Sequence, residues 1–329
     1  ATINPEDVVA TDVNNDGNLD AIISNYSYNV NVFLGNGNGS FRPAISVATG
    51  NYPRSVQTVD VNQDNLPDLV VTNVGINSGG AEFARVGSQP GSVAVLLGNG
   101  NGTFRSPTQY TPFRFPGWSA VGDFNGDGKP DLVVTDITGT QVTWLRNTSQ
   151  GGVPSLGTPV PVTTADSPDG IDVGDMDGDK DADIVVACKG AKVTVLLNSG
   201  TNAPTFTRLD YATQRDARTI VAGDMDGDAK PDLSFITFKL NSIPEAYSME
   251  VIRNLSCFVP KITNPQPLTN CQGPPLQPVI LRTIPGFGVS TYTWKLSTNN
   301  SSLSTTVPFV EVSLAGQYTV TAEIGRAHV

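Results

Sequence analysis

Apolar residues in this chain come in short runs of four to seven, rich in Val, Ile and Thr and bounded by Gly, Asn or Pro, which is the chemistry of β-strands. Some runs are unbroken, such as Leu69-Val-Val-Thr and Leu132-Val-Val-Thr; others alternate, such as Val93-Ala-Val-Leu-Leu, Val142-Thr-Trp-Leu and Val193-Thr-Val-Leu-Leu. A Gly/Asn turn follows, GNGNGS from Gly35 or GNGNGT from Gly98, and a further segment opens at Phe41, Phe104 or Phe206. Ahead of the unbroken runs stand segments such as Trp118-Ser-Ala-Val-Gly and Thr219-Ile-Val-Ala-Gly. Four short antiparallel strands in a tandem unit of about 50 residues predict a propeller blade. One such sheet cannot bury both faces alone, and stacking neighbours around an axis does so. A β-solenoid is the competing architecture, but its repeats are shorter.

Between the first two segments of each unit lies a nine-residue pattern. It reads DVNNDGNLD from Asp12, DVNQDNLPD from Asp60, DFNGDGKPD from Asp123, DMDGDKDAD from Asp175 and DMDGDAKPD from Asp224. Positions 1, 3, 5 and 9 are Asp or Asn in every copy. Calcium takes six to eight oxygen ligands, largely carboxylate and carbonyl, and alternating acids on a tight turn aim at one point. The candidate side-chain ligands are Asp12, Asn14, Asp16 and Asp20; Asp60, Asn62, Asp64 and Asp68; Asp123, Asn125, Asp127 and Asp131; Asp175, Asp177, Asp179 and Asp183; and Asp224, Asp226, Asp228 and Asp232. Position 7 (Asn18, Leu66, Lys129, Asp181, Lys230) is expected to offer its backbone carbonyl. Position 2 is always apolar (Val13, Val61, Phe124, Met176, Met225) and is expected to anchor the loop in the blade. Position 6 calls for a positive φ: Gly17 and Gly128 supply it and Asn65 tolerates it, whereas Lys180 and Ala229 fit it poorly. A solitary acidic turn is an ordinary solvated loop. Five copies in register are not, because carboxylates packed this closely need a counter-ion.

Charge changes the picture in one respect. The 329 residues carry a net charge of −11, which argues against a basic nucleic-acid-binding face. Eighteen of the 31 acidic residues lie in the five loops. Five Ca2+ ions would bring the balance to about −1, so most of the acidity belongs to metal sites. Of the three cysteines, Cys188 sits in an apolar run and reads as a core residue, while Cys257 and Cys271 are either free or a disulfide. None forms the spacing of a zinc site. No apolar run is long enough for a transmembrane helix.

The stretches DFNGDGKPDLVV from Asp123 and SVAVLLGNGNGTF from Ser92, with their counterparts in the other copies, resemble FG-GAP/VCBS repeats, the propeller repeats of integrin α chains and of many secreted bacterial proteins. The resemblance covers about residues 5–254. It implies an all-β fold: a seven-bladed calcium-binding β-propeller of which five units are visible in residues 1–254, with calcium between the first and second strands of each blade. Blades shaped for sevenfold packing are expected to form an open arc, with apolar faces exposed on the first and fifth. Residues 255–323, with Tyr292-Thr-Trp and Gly316-Gln-Tyr-Thr-Val-Thr-Ala, look like the Ig-like or PKD-like β-sandwich modules of secreted Bacteroidota proteins, with Trp294 in the core and Tyr318 as a corner tyrosine. Type IX secretion is the implied export route. Residues 324–329 (IGRAHV) resemble a translated sequencing adapter, so the natural protein is expected to continue further.

No enzyme is expected. The only histidine, His328, falls in that final hexapeptide, so no Ser-His-Asp or Cys-His arrangement can be built from the rest. A P-loop and a GxSxG elbow are also missing. The expected function is that of a secreted or cell-surface calcium-binding module adhering to an extracellular protein or carbohydrate, with no nucleic-acid partner and no membrane insertion. The alternative is a non-catalytic targeting or spacer part of a larger secreted enzyme, for example one degrading polysaccharide. An insertion at residues 75–91, carrying Phe83 and Arg85, is expected on the ligand face, opposite the acidic loops.

Overall fold

The computed structural model describes residues 5–25, 28–75, 91–227, 229–239 and 246–254, and then the strand residues 279–282, 289–296, 302–305, 309–312 and 318–324. The 75–91 insertion, Asp228, Cys257, Cys271 and the final hexapeptide beyond Ile324 therefore fall wholly or mainly outside the described residues. Contacts divide the chain into Ala1–Asn254 and Leu255–Val329.

The first unit is a tandem array of antiparallel sheets. Blade 1 comprises β1 (Pro5–Thr11), β2 (Asp20–Asn25), β3 (Asn29–Phe33) and β4 (Ile45–Ala48). Blade 2 comprises β5 (Pro53–Val59), β6 (Asp68–Asn73), β7 (Gly91–Leu96) and β8 (Thr108–Phe113); blade 3 comprises β9 (Pro116–Gly122), β10 (Asp131–Asp136), β11 (Gln141–Leu145) and β12 (Val160–Thr163). Blade 4 is built from β13 (Pro168–Gly174), β14 (Asp183–Cys188), β15 (Lys192–Asn198) and β16 (Phe206–Ala212), and blade 5 from β17 (Asp216–Gly223), β18 (Asp232–Lys239) and β19 (Ala246–Ile252). Strand order within each sheet follows the sequence. These are five blades of a β-propeller; the two further blades implied by the resemblance are not among the described residues.

First strands of consecutive blades pack on one another (β1 on β5, β5 on β9, β9 on β13, β13 on β17), so they line the axis. The second strand of each blade also packs on the first strand of the next. Four apolar cores result, one at each junction. Ile22, Val30 and Leu69 join blades 1 and 2; Val70, Val95 and Leu132 join blades 2 and 3; Val133, Trp144 and Ile184 join blades 3 and 4; Val185, Val195 and Phe235 join blades 4 and 5. Strands covered on both faces are buried along their whole length, as in β6, β7 and β14, and unbroken apolar runs such as Leu69-Val-Val-Thr serve that place. In blade 1, β2 and β3 alternate between buried and half-buried residues instead. Apolar side chains stay exposed on both end blades: Val8 on blade 1, and Val221, Ile236, Met249 and Val251 on blade 5.

In the second unit, β20 (Val279–Arg282) pairs with β23 (Phe309–Val312), and β21 (Val289–Leu296) lies between β22 (Ser302–Thr305) and β24 (Tyr318–Ile324). Trp294 stands opposite Val320 and Leu296 opposite Tyr318. This unit is all-β among its described residues.

Candidate metal sites

Each acidic loop is closed by a single ladder rung. The residue before position 1 pairs with position 9: Thr11 with Asp20, Val59 with Asp68, Gly122 with Asp131, Gly174 with Asp183 and Gly223 with Asp232. The loops thus connect the first and second strands of their blades, all at one end of the array. Inside them the backbone adopts positive φ twice. At position 4 stand Asn15, Gln63, Gly126, Gly178 and Gly227, and at position 6 stand Gly17, Asn65, Gly128, Lys180 and Ala229. Lys180 (φ 74°) and Ala229 (φ 65°) take up the left-handed turn despite their side chains. The sequence reading identified only position 6; position 4 makes the same demand, and Gly in three of five copies is its signal.

The acids divide their work. Position 1 organises the turn: Asp12 accepts from the Asp16 and Gly17 amides, Asp123 from Gly126, Asp127 and Gly128, and Asp175 from Gly178 and Lys180. Position 5 accepts from the amide of position 7 at 2.9–3.0 Å in the first four loops. Position 9 is buried in all five copies. In four copies one of its oxygens accepts from the position 2 amide, Asp20 from Val13, Asp68 from Val61, Asp183 from Met176 and Asp232 from Met225, whereas in Asp131 that oxygen accepts from the Asn125 and Trp144 side chains. The other accepts from the amide that ends the third strand's run: Gly35, Gly98, Asn147, Asn198 or Asn254.

Sequence reasoning missed a second set of residues that hold the loops. The side-chain amide of Asn147 donates to the Val61 carbonyl of the previous blade's loop at 2.9 Å; Asn198 reaches Phe124 in the same way at 2.9 Å, and Asn254 reaches Met176 at 2.7 Å. In blade 2 the Gly102 amide takes this role on the Val13 carbonyl at 3.3 Å. Loops 1–4 are therefore each pinned by the following blade. Asn at the close of three third strands was the available signal.

The donor set fits a hard cation. In loop 4, oxygens of Asp175, Asp177 and Asp183 lie within 4.8 Å of one another, and in loop 5 so do those of Asp224, Asp226 and Asp232. Loops 1–3 carry Asn at position 3. In loop 3 the Asn125 amide donates to Asp131 at 2.8 Å, which leaves its Oδ1 buried with no hydrogen-bond partner. An orphaned buried carbonyl oxygen in a loop that also carries Asp123, Asp127 and Asp131 is what a metal ion would satisfy. Burial pushes the Asp183 carboxyl up to about 7, offset by amides of Asn198 and Met176 and reinforced by Asp177 and Asp179. The same causes push Asp68 up to about 6, with Asp64 and Asp60 as the neighbouring charges. Burial raises Asp131 as well. Without a cation these groups hold their protons more tightly than a solvated acid does.

Position 5 has a competing partner in two loops. Arg146 donates to Asp127 at 2.9 Å, and Arg42 stands 3.7 Å from Asp16. Burial raises the Asp127 carboxyl, but the Arg146 hydrogen bond, the Lys129 amide and the charges of both residues together outweigh it and leave the group below its usual range. Arg253 pairs with Asp226 at position 3 of loop 5. Position 7 side chains differ in use: Lys129 donates to the Ser149 carbonyl, and Asn18 to Asp16.

The model of the FG-GAP-like repeat matches residues 12–71, 77–134, 123–186 and 175–234. None of the curated proteins compared matches this chain. Among solved structures, rhamnogalacturonan lyase YesW is similar at a TM-score of 0.48 and 16% identity, over 77% of this chain and 49% of that one. BBS1N in complex with ARL6DN is similar at a TM-score of 0.46 and 13% identity, over 75% of this chain and 64% of that one. The chain thus spans about half the length of the first of these.

Proposed function

Because the chain belongs to the FG-GAP-like repeat family, we propose that it is a non-catalytic, calcium-loaded binding module of the extracellular space or cell surface. Its acidic loops hold Ca2+ at one end of the blades, and its opposite end meets a protein or glycan. The single observation that carries the calcium reading is the buried, partnerless Oδ1 of Asn125, lying in the same loop as Asp123, Asp127 and Asp131. When bound, the ion supplies neutralising charge and oxygen coordination that crosslinks a loop. The residues that would hold it are those at positions 1, 3, 5 and 9, with the position 7 carbonyl.

The extracellular assignment follows from calcium supply. Modules of this kind bind at about 10⁻⁴–10⁻³ M, which extracellular calcium can load. No described helix is long and apolar enough to cross a membrane. The second unit, with antiparallel sheets of two and three strands, is read as an Ig-like or PKD-like spacer. Calorimetric titration of chelator-stripped protein tests the proposal. Several Ca2+ ions should bind and Mg2+ should substitute poorly, since it demands tighter octahedral geometry. Absence of calcium heat, with a melting curve indifferent to chelator, would overturn it.

A further inference from the structure

Consecutive acidic loops are joined by single buried side chains. Asn147, 1% exposed, donates one amide hydrogen to the Val61 carbonyl of loop 2 at 2.9 Å and the other to the Pro130 carbonyl of loop 3 at 3.0 Å. Its backbone amide donates to Asp131 of loop 3 at 2.7 Å, and its Oδ1 accepts from the Ser149 amide at 2.9 Å. Asn198, 5% exposed, repeats the arrangement one blade on. It donates to Phe124 of loop 3 at 2.9 Å and to Ala182 of loop 4 at 3.1 Å. Its backbone amide meets Asp183 at 2.7 Å, and its Oδ1 takes the Gly200 amide at 3.2 Å. Each asparagine thus commits one amide hydrogen to each of two loops.

The carbonyls they hold lie between candidate ligands. Val61 and Phe124 stand at position 2, between the side chains of positions 1 and 3; Pro130 and Ala182 stand at position 8, between the position 7 carbonyl and the position 9 carboxylate. Neither asparagine turns away from one loop without leaving a carbonyl of that loop unpaired, which is costly where water is excluded. An ion that orders loop 3 therefore fixes Asn147 and Asn198 too, and loops 2 and 4 then have less left to order. Loops 2 and 3 share a second bond, from the Gln63 side chain to the Gly128 carbonyl at 3.2 Å. The junction of blades 1 and 2 is built differently. Gly98 stands in the asparagine's place: its amide donates to Asp68 at 2.8 Å, but it has no side chain to reach loop 1, and a Cβ there would lie 2.2 Å from the Pro67 carbonyl oxygen. The bond to loop 1 comes instead from the Gly102 backbone amide, at 3.3 Å on Val13.

We propose that loops 2, 3 and 4 bind Ca2+ cooperatively, with Asn147 and Asn198 as the coupling residues, and that loop 1 loads independently of them. This rests on the reading of the loops as calcium sites and adds that each is regulated by its neighbours' occupancy. Trp144 supplies a reporter, since its indole N–H donates to Asp131 of loop 3 at 3.3 Å. In the full chain, stripped with chelator and titrated with Ca2+, the fluorescence change that Trp144→Phe removes reads loop 3. If that change is too small, the calorimetric heat that Asp127→Ala removes reads it instead. Silencing loop 2 by Asp64→Ala, or loop 4 by Asp179→Ala, should weaken loop 3 about tenfold, whereas silencing loop 1 by Asp16→Ala should leave its midpoint in place. In Asn198→Ala protein the loop 4 effect should vanish and the loop 2 effect remain; Asn147→Ala should do the reverse. A purely electrostatic link would persist in both backgrounds, because the charge removed is the same. The inference is overturned if neither neighbour shifts the loop 3 midpoint, if Asp16→Ala shifts it as far, or if the shifts survive the asparagine substitutions. Calorimetry on the same samples separates the two readings. Absence of calcium heat overturns the calcium sites and the coupling with them; bound calcium without a neighbour effect overturns the coupling alone. Should an alanine variant not melt cooperatively, Asn147→Asp and Asn198→Asp, which keep the shape and lose the donated hydrogens, replace it. Should these fail as well, the three silencing variants decide on the same criteria.

Discussion

Blades 3 and 5 carry nearly the same nine-residue loop, yet the two loops rest on different ground. In blade 3 the position 2 anchor, Phe124, is 0% exposed and packs in the core shared with blade 4, and its carbonyl receives the Asn198 amide. In blade 5 the equivalent Met225 is 45% exposed. The sheet beneath it shows the same contrast: Val133 and Val134 of β10 are buried, whereas Ile236 and Met249 of blade 5 are exposed. The motif writes the ligands into one blade, but the surface that stiffens them belongs to the next. An acidic loop is therefore a site whose rigidity comes from the junction, and ion affinity should follow the junction more than the motif.

The largest expected effect would dissolve the comparison altogether. Stripping calcium should lower the melting temperature by about 5–10 °C for each site that had been held near 100 times its Kd, since such a site contributes about 2.7 kcal/mol. Scanning calorimetry with and without chelator checks this. If loops 1–4 are the stiffened ones, titration should resolve a tighter group of sites and a weaker one assigned to loop 5 by Asp224→Ala.

Next in size, Phe124→Ala should cost about 3–5 kcal/mol, because it opens a cavity in a closed junction. Met225→Ala should stay within about 0.5 kcal/mol, as exposed positions do. Equal losses in denaturant melts would mean that the fifth loop is as well seated as the third. A smaller effect is expected from Asn198→Ala, which leaves the Phe124 and Ala182 carbonyls unpaired. It should cost about 1–3 kcal/mol and weaken calcium binding in loop 3, the loop of the preceding blade, more than in its own.

The smallest effect concerns pH. The Asp183 and Asp68 carboxyls, pushed up to about 7 and about 6 by burial, hold protons more tightly folded than unfolded. Their stabilising contribution to the calcium-free protein is full below pH ~4 and is lost as pH rises through 6 to 7. Calcium competes with those protons, so its affinity should move oppositely and fall as pH drops through the same window. Titrations at pH 8 and pH 5.5, flanking that window, should show this at loops 2 and 4. A pH-independent affinity would remove these two acids from the ligand set.

Sequence alone determined the local chemistry. Alternating Asp and Asn at fixed positions, short β-branched runs and Gly/Asn turns fixed the loops, the strands and their order, because each depends on residues within a few positions of one another. Tertiary structure decided what lies between blades. That Asn147, Asn198 and Asn254 pin a neighbour's loop as well as their own was not visible in a repeat read one unit at a time, since the donor and the neighbour's carbonyl it meets are 86, 74 and 78 residues apart. The meeting of Arg54 with Asp169 is of the same kind: 115 residues separate them along the chain, and only the stacking of first strands around one axis brings a cation of blade 2 within 3.1 Å of an acid in blade 4. Burial was decided there too. The position 2 side chain is apolar in all five loops, but it is buried only where another sheet lies against it, because removing apolar surface from water requires a second surface to cover it.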